Sequence, residues 1–426
     1  MAPLEPSDIL ITPNNIDIQK AADGQVLIRN GSFLVDLEAP VEMVEVLRFF
    51  RAPRRASEVM SEYDGIDMEV LQHLVDHFIL YRPSEAEIFA FGALIRPAQP
   101  IGGFLSIKDL PPPAEARATR FLIFGAPVDL GAAGYGGARH GPEAIRAACT
   151  MRLGALGRKA TEGGTAAWDF ETHQRHDLTQ LEVSDLGDVS YTPGESNGDF
   201  GRRVTWFAER AHAHGYLPIG LGGDHSVARF FLRPFLKTGG APFGIVHFDA
   251  HTDLYQAPAG IFSHGNPFDE ALESENLKSL FQVGQRQLRT DRAEPTSDSR
   301  LQFVSSLDVW RKSPAEVFAN LPPELPCYLT FDVDCMSATE CPETGTPVPG
   351  GLLYYHALEL VDWLVANRRI VGADFVEVTG PVSPSNRAAQ VCASLMLRLI
   401  VGHGPTTRFE NPQLHRKGTS LDTFGT

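Results

Sequence analysis

The sequence predicts an α/β protein in which a mainly parallel sheet carries helices on both faces, preceded by a small α+β domain. Three observations predict it. Beyond residue 118, short apolar runs of strand length alternate with helical patterns. A proline-rich break interrupts the chain near residues 95–118. Before that break lie two apolar runs around Asn30-Gly31 and three helix-like stretches.

The alternating region is the clearest. "RFLIFGAPVD", "GYLPIGLGGDHS", "PFGIVHFDAHTD", "LPCYLTFDVDC" and "RIVGADFVEV" each end in polar or turn residues. Between or after them, "GPEAIRAACT", "FGRRVTWFAERAHAHG" and "AAQVCASLMLRLIV" have helical spacing. In sheets of this kind, ligands bind beyond the carboxyl ends of the strands, and the polar clusters fall there. The break holds Gly102-Gly103 and Pro111-Pro112-Pro113, which can continue neither a helix nor a central strand. The expected domains are therefore 1–95, a linker at 96–117, a larger sheet-bearing unit at 118–404 and a tail at 405–426. In the first, Asn30-Gly31 suits a two-residue hairpin turn. "EAPVEMVEVLRFF" is expected to be a helix with Pro40 near its first turn and an apolar face of Val41, Val44, Leu47 and Phe50. "RASEVMSEY" and "DMEVLQHLVDHFIL" give two more helices, the order of a winged-helix-like module.

Composition narrows the function classes. The formal net charge of -16 disfavours nucleic acid and anionic membranes as partners. Five cysteines without a CxxC pair predict reduced thiols in a cytoplasmic protein. No stretch is apolar enough to span a bilayer, and the first residues lack a signal-peptide pattern.

Three strand ends carry acids and imidazoles: His225 in "GGDHS"; Asp249, His251 and Asp253 in "FDAHTD"; Asp332 and Asp334 in "FDVD". Residues two apart on a strand point the same way, so the members of each cluster converge if the extended geometry continues through it. The Gly-Gly turn before His225 lets the backbone aim its ring inward. Four carboxylates gathered in one pocket would repel one another, and two divalent cations would resolve the repulsion. Mixed oxygen and nitrogen ligands suit manganese, nickel, iron or zinc, with manganese at the carboxylate-rich end. His247 is expected to be a core histidine, and His140, His212, His214 and His403 structural. Cys335 and Cys341 are expected to be packing residues.

Over residues 118–404 these clusters resemble those of the ureohydrolases: arginase, agmatinase, guanidinobutyrase and formiminoglutamase. "GAPVDLGAAGYGGARHGPEAIR", "DLGDV" at 185–189, "ETGTPVPGG" at 343–351 and "GADFVEV" at 372–378 extend the resemblance. It implies a three-layer arginase-like fold and two Mn2+ ions. One ion would be held by His225, Asp249, Asp253 and Asp332. The other would be held by Asp249, His251, Asp332 and Asp334. Asp249 and Asp332 would bridge them. It also implies that His264, in "SHGNPF", moves protons and that Glu377, in "FVEV", holds the guanidinium. Asp253 would orient a water that two cations about 3.5–4 Å apart ionise near neutral pH. The resemblance allows a homo-oligomer.

Two departures bear on the substrate. Arginases usually place an Asn two residues beyond the "DAHTD" segment, where this chain has Tyr255, and the serine- and asparagine-rich stretch before His264 is missing. The N-terminal unit resembles the PqqD-like peptide-recognition domain, which holds a leader peptide as an added strand. Together these suggest a peptide arginase of ribosomal peptide modification, turning arginine side chains of a precursor peptide into ornithine and releasing urea. The alternative is hydrolysis of a small free guanidino compound, of agmatinase, guanidinobutyrase or arginase type. A non-catalytic protein keeping a dead metal fold is a further rival, against which the complete ligand set argues.

Overall fold

A computed structural model of the chain describes residues 3–12, 16–20, 24–30, 35–50, 54–77, 79–82, 95–96, 119–132, 136–149, 166–191, 196–237, 239–255, 262–286, 288 and 298–408. Most of the proline-rich linker, Gly31 of the expected turn and residues 409–426 of the tail lie outside these.

The N-terminal unit is a small α+β fold. Strands β1 (Ile9–Leu10) and β5 (Arg54–Arg55) pair antiparallel, and β2 (Ile16–Lys20), β3 (Gln25–Asn30) and β4 (Val35–Pro40) form a second antiparallel sheet in that order. Helices span Met43–Phe49, Ala56–Glu62 and Met68–Asp76. The hairpin is therefore present, but Asn30 pairs with Val35, so four residues join its strands rather than two. The first helix also starts later than expected. Pro40 ends β4 instead of opening the helix, and Val41 is exposed outside it. Val46, Leu47 and Phe49 are the helical residues that reach the core.

The larger unit is built on a nine-stranded sheet. Its strands are β6 (Ile95–Arg96), β7 (Thr119–Ala126), β10 (Leu181–Val189), β11 (Tyr216–Gly222), β12 (Phe243–Phe248), β13 (Leu277–Gln285), β14 (Leu301–Ser305), β15 (Cys327–Asp332) and β16 (Ile370–Val376). The order is β14-β13-β12-β15-β16-β11-β7-β10-β6, with every pairing parallel except β10 with β6. Ile95–Arg96 thus belongs to this sheet, although the sequence suggested that the first domain ran to residue 95. A third small sheet, β17-β9-β8, joins Thr406–Arg408 to Gln174–Asp177 and Ala166–Asp169, so the first residues past 404 are a strand.

The strand runs are continuously apolar because both faces of the sheet are covered. Phe121 and Ile123 of β7 face a core shared with helices Tyr354–Asn367 and Arg387–Val401 and with the helix over 141–149. Leu122 and Phe124, the alternate residues, face a second core with helix Asn197–Ala213. This is the three-layer architecture. The N-terminal unit has its own core around Leu10, Ile28, Phe50 and Leu71. Ile11, however, is buried in the second core of the large unit, with Ile9 and Tyr81 packed beside it. Among the described residues, no helix is long and apolar enough to cross a membrane.

Candidate metal centre

Four adjacent strands deliver the site. Phe248 is level with Phe331, and Phe331 and Leu221 are both level with Phe375, across β12, β15, β16 and β11. The residues just beyond these positions emerge at one edge. They are Asp249 to Asp253 after β12, Asp332 at the end of β15, Glu377 after β16, and Gly223 to His225 after β11.

Convergence within each cluster has a different cause from the one expected. The strand β12 stops at Phe248, and β15 stops at Asp332. The extended geometry therefore does not continue through either cluster. Instead the chain bends. The His251 backbone N–H turns back to donate to Asp249 Oδ1 at 2.5 Å, and Asp253 takes a left-handed φ of 51°. Asp334 lies in the 3-10 turn Val333–Cys335, its N–H donating to Asp332 Oδ1 at 2.8 Å. The Gly-Gly turn also acts differently. Gly223 is needed for close approach, since a Cβ there would lie 1.6 Å from the Val128 carbonyl oxygen.

The predicted ligands lie close together, although Asp332, expected to bridge both ions, falls in neither ligand group, and His247, expected to be a core residue, falls in one. His225 Nδ1 lies 2.9 Å from Asp253, 3.2 Å from Asp249 and 3.4 Å from Asp332. His251 Nδ1 lies 2.9 Å from Asp334 and 3.3 Å from Asp249. Two groups of ligand atoms, each within 4.8 Å, can therefore hold an ion: His225, His247, Asp249 and Asp253, and then Asp249, His251 and Asp334. Asp249 belongs to both, its Oδ2 facing His225 and its Oδ1 facing His251.

The electrostatics ask for cations. Burial, then the charge of Asp249, pushes the Asp253 and Asp334 carboxyls up, Asp334 to about 6. Burial with the charges of Asp334 and Asp249 pushes Asp332 far up. Asp249 goes the other way, because the surrounding histidines outweigh its burial. His225 Nδ1 is wholly buried yet makes no well-formed hydrogen bond, although it faces three carboxylates. A nitrogen lone pair and carboxylate oxygens aimed at one point are the donor set of a divalent cation, so these residues fit a dinuclear centre.

His264 and Glu377 complete the edge. The Glu377 N–H donates to Gly223 O, and a left-handed φ of 63° turns its side chain inward. Glu377 Oε1 accepts from the His225 N–H at 2.9 Å and lies 3.1 Å from His264 Nδ1. Burial alone would lower the His264 pKa, but hydrogen bonding to Glu377 and its charge raise it. Tyr255, half-exposed, has its ring against Gly265, next to His264.

Sequence reasoning missed several residues that serve the site. His247 is indeed buried and hydrogen-bonded, but its Nε2 reaches Asp249 Oδ2 at 2.7 Å, and Gln282 donates to its Nδ1. Arg286 donates to the carbonyls of Asp334, Cys335 and Met336 and so clamps that loop. Asp224, inside the "GGDHS" motif, ties the N–H groups of Gly131 and Ser226 together. Its place in the motif is the signal that could have found Asp224; nothing local points to Arg286. Cys335 and Cys341 are buried thiols, as packing residues should be. His140 is exposed and outside both ligand groups.

The Arginase family profile matches residues 119–402. An agmatinase of Sodalis glossinidius is 37% identical over 290 residues, covering 67% of this chain and 87% of that protein. One of Edwardsiella ictaluri is 36% identical over 286 residues, covering 66% and 86%. Among solved structures, a hypothetical agmatinase from Burkholderia thailandensis superposes with a TM-score of 0.56 at 27% identity, covering 69% of this chain and 87% of the other. Formimidoylglutamase of Bacillus subtilis, at 20% identity and a TM-score of 0.58, covers 72% and 92% and shares the fold.

Proposed function

Because the chain belongs to the arginase family of guanidino hydrolases, we propose that it cleaves a guanidinium group with water, releasing urea and a primary amine, and that its substrate is a small free guanidino compound of the agmatine class. The observation that carries the reading is the pair of ligand groups sharing Asp249, with Glu377 and His264 on the same strand edge.

Two divalent cations, manganese by the carboxylate-rich donor set, would supply a water ionised near neutral pH. Asp253 orients that water toward the guanidinium carbon. Glu377 offers a charge-assisted match to the planar cation. His264 delivers the proton that the departing amine needs. The substrate class is supported by the agmatinase names of the relatives and by Tyr255, which offers a ring and a phenol where an amino-acid head group would want an amide.

A second reading is favoured by one observation: the folded N-terminal unit, with a core of its own, lies outside the family match. In that reading it holds the leader of a ribosomally made precursor peptide, and arginine side chains become ornithine. Its sheet order leaves β2 and β4 as the outer strands that an added strand would extend.

The test is urea release by the manganese-loaded full chain from agmatine, guanidinobutyrate, free arginine and arginine-containing peptides with and without a long N-terminal extension. Agmatine or guanidinobutyrate should have the highest kcat/KM. Preference for an extended peptide would replace the first reading with the second, and no urea from any of them would refute both.

A further inference from the structure

The ring of His225 is held from behind by a buried polar chain. Its Nε2 lies 2.9 Å from Thr330 Oγ1, and Thr330 Oγ1 lies 2.6 Å from Asp374 Oδ1. The other oxygen of Asp374 accepts from the Tyr328 hydroxyl at 2.8 Å. All four residues have no exposed surface. Thr330 and Asp374 are level on neighbouring strands β15 and β16, and Tyr328 is two residues before Thr330 on the same face.

Each hydrogen in this chain has one place. A carboxylate accepts only, so Thr330 gives its single hydroxyl hydrogen to Asp374. Its oxygen is then left to accept, and the donor facing it is His225 Nε2–H. With the proton fixed on Nε2, the lone pair of a neutral ring is on Nδ1, the atom that faces Asp249, Asp253 and Asp332. A ring flipped about its axis would turn this lone pair away from the acids and lose the bond to Thr330. The buried Asp374 charge also makes the nitrogen a stronger donor toward a cation.

We propose that Thr330 and Asp374 are positioning residues that fix the Nε2–H tautomer of His225 and thereby set the affinity of one of the two metal sites. The inference rests on the dinuclear reading above. It singles out the ion held by His225 and leaves alone the one held by His251 and Asp334, which the relay does not touch.

The experiment is titration of the metal-free full chain with Mn2+, followed by calorimetry and by metal analysis, in wild type, Thr330→Val, Thr330→Ser, Asp374→Asn and the double variant Thr330→Val/Asp374→Asn. Thr330→Val should weaken one ion by about 10- to 100-fold and leave the other unchanged. Thr330→Ser, which keeps the hydroxyl, should restore the affinity. Asp374→Asn should weaken the same ion. The double variant should lose no more than Thr330→Val, since Asp374 acts through the hydroxyl. Loss of both ions in equal measure, or a serine variant as weak as the valine one, would mean that the pair only supports packing and would overturn the proposal. Two ions bound with wild-type affinity by every variant would overturn the relay and leave the dinuclear reading standing. A wild-type chain that binds no Mn2+ would overturn both.

Discussion

Replacing Glu377 by Gln changes one charge and almost no volume. Glu377 is 2% exposed and sits at a left-handed φ that both residues adopt at the same cost. The Gln carbonyl can still accept from the His225 N–H, so the turn after β11 stays tied down. Glu377 belongs to neither ligand group, so metal content should remain that of the wild type. What disappears is the anion opposite the substrate cation. Leaving a buried charge without its partner costs about 3–5 kcal/mol. At 1.36 kcal/mol per decade, that is a loss of about two to four powers of ten in kcat/KM. Glu377 also raises the His264 pKa, so the protonated ring persists below the raised value and is lost as pH rises through it. In the variant the alkaline limb of the rate profile should move to lower pH. Urea release across pH, with metal analysis of the same sample, measures both effects. Wild-type kcat/KM in a fully loaded Glu377→Gln protein would show that the guanidinium is held elsewhere.

Other perturbations separate metal binding from stability. Asp249→Asn should cost both ions, because both groups use that carboxylate, whereas Asp334→Asn should cost one; metal analysis after dialysis distinguishes them. Arg146 is buried and bonded to Asp185 at 2.8 Å and also to Asp188, so Arg146→Leu strands two buried carboxylates and should cost about 3–5 kcal/mol in urea denaturation. Burial would raise the Asp169 carboxyl, but hydrogen bonds from Thr172 and Arg398 hold it below its ordinary 3.8. Its contribution is therefore present above that value and lost as pH falls through the depressed one. Asp169→Asn should melt below wild type near pH 7, and the two should converge in acid.

The large sheet was legible because β11, β12, β15 and β16 are buried on both faces and thus continuously apolar, each followed by its polar cluster. β13, the helix Tyr354–Asn367 and the β17-β9-β8 sheet carry no such tail of acids and were not drawn from the sequence. The identities of the metal-facing side chains could be read, but their convergence could not. It depends on bends after Phe248 and Asp332 that period-two reasoning does not contain. The helpers were the least legible. Thr330 and Asp374 look like ordinary strand residues until β15 and β16 are set in register. His247 looks like filler until Gln282, 35 positions later, comes into contact with its ring.

Ile11 has a consequence for how the two units behave mechanically. A residue of the N-terminal unit that is 1% exposed inside the core beneath helix Asn197–Ala213 works as a rivet. Backbone hydrogen bonds in both directions between Ile11 and Tyr81 fasten it. Swinging the small unit outward would wet an apolar side chain and leave a hole in the layer that supports β7 and β11. Parting the two units therefore has to break an apolar contact as well as stretch a connection.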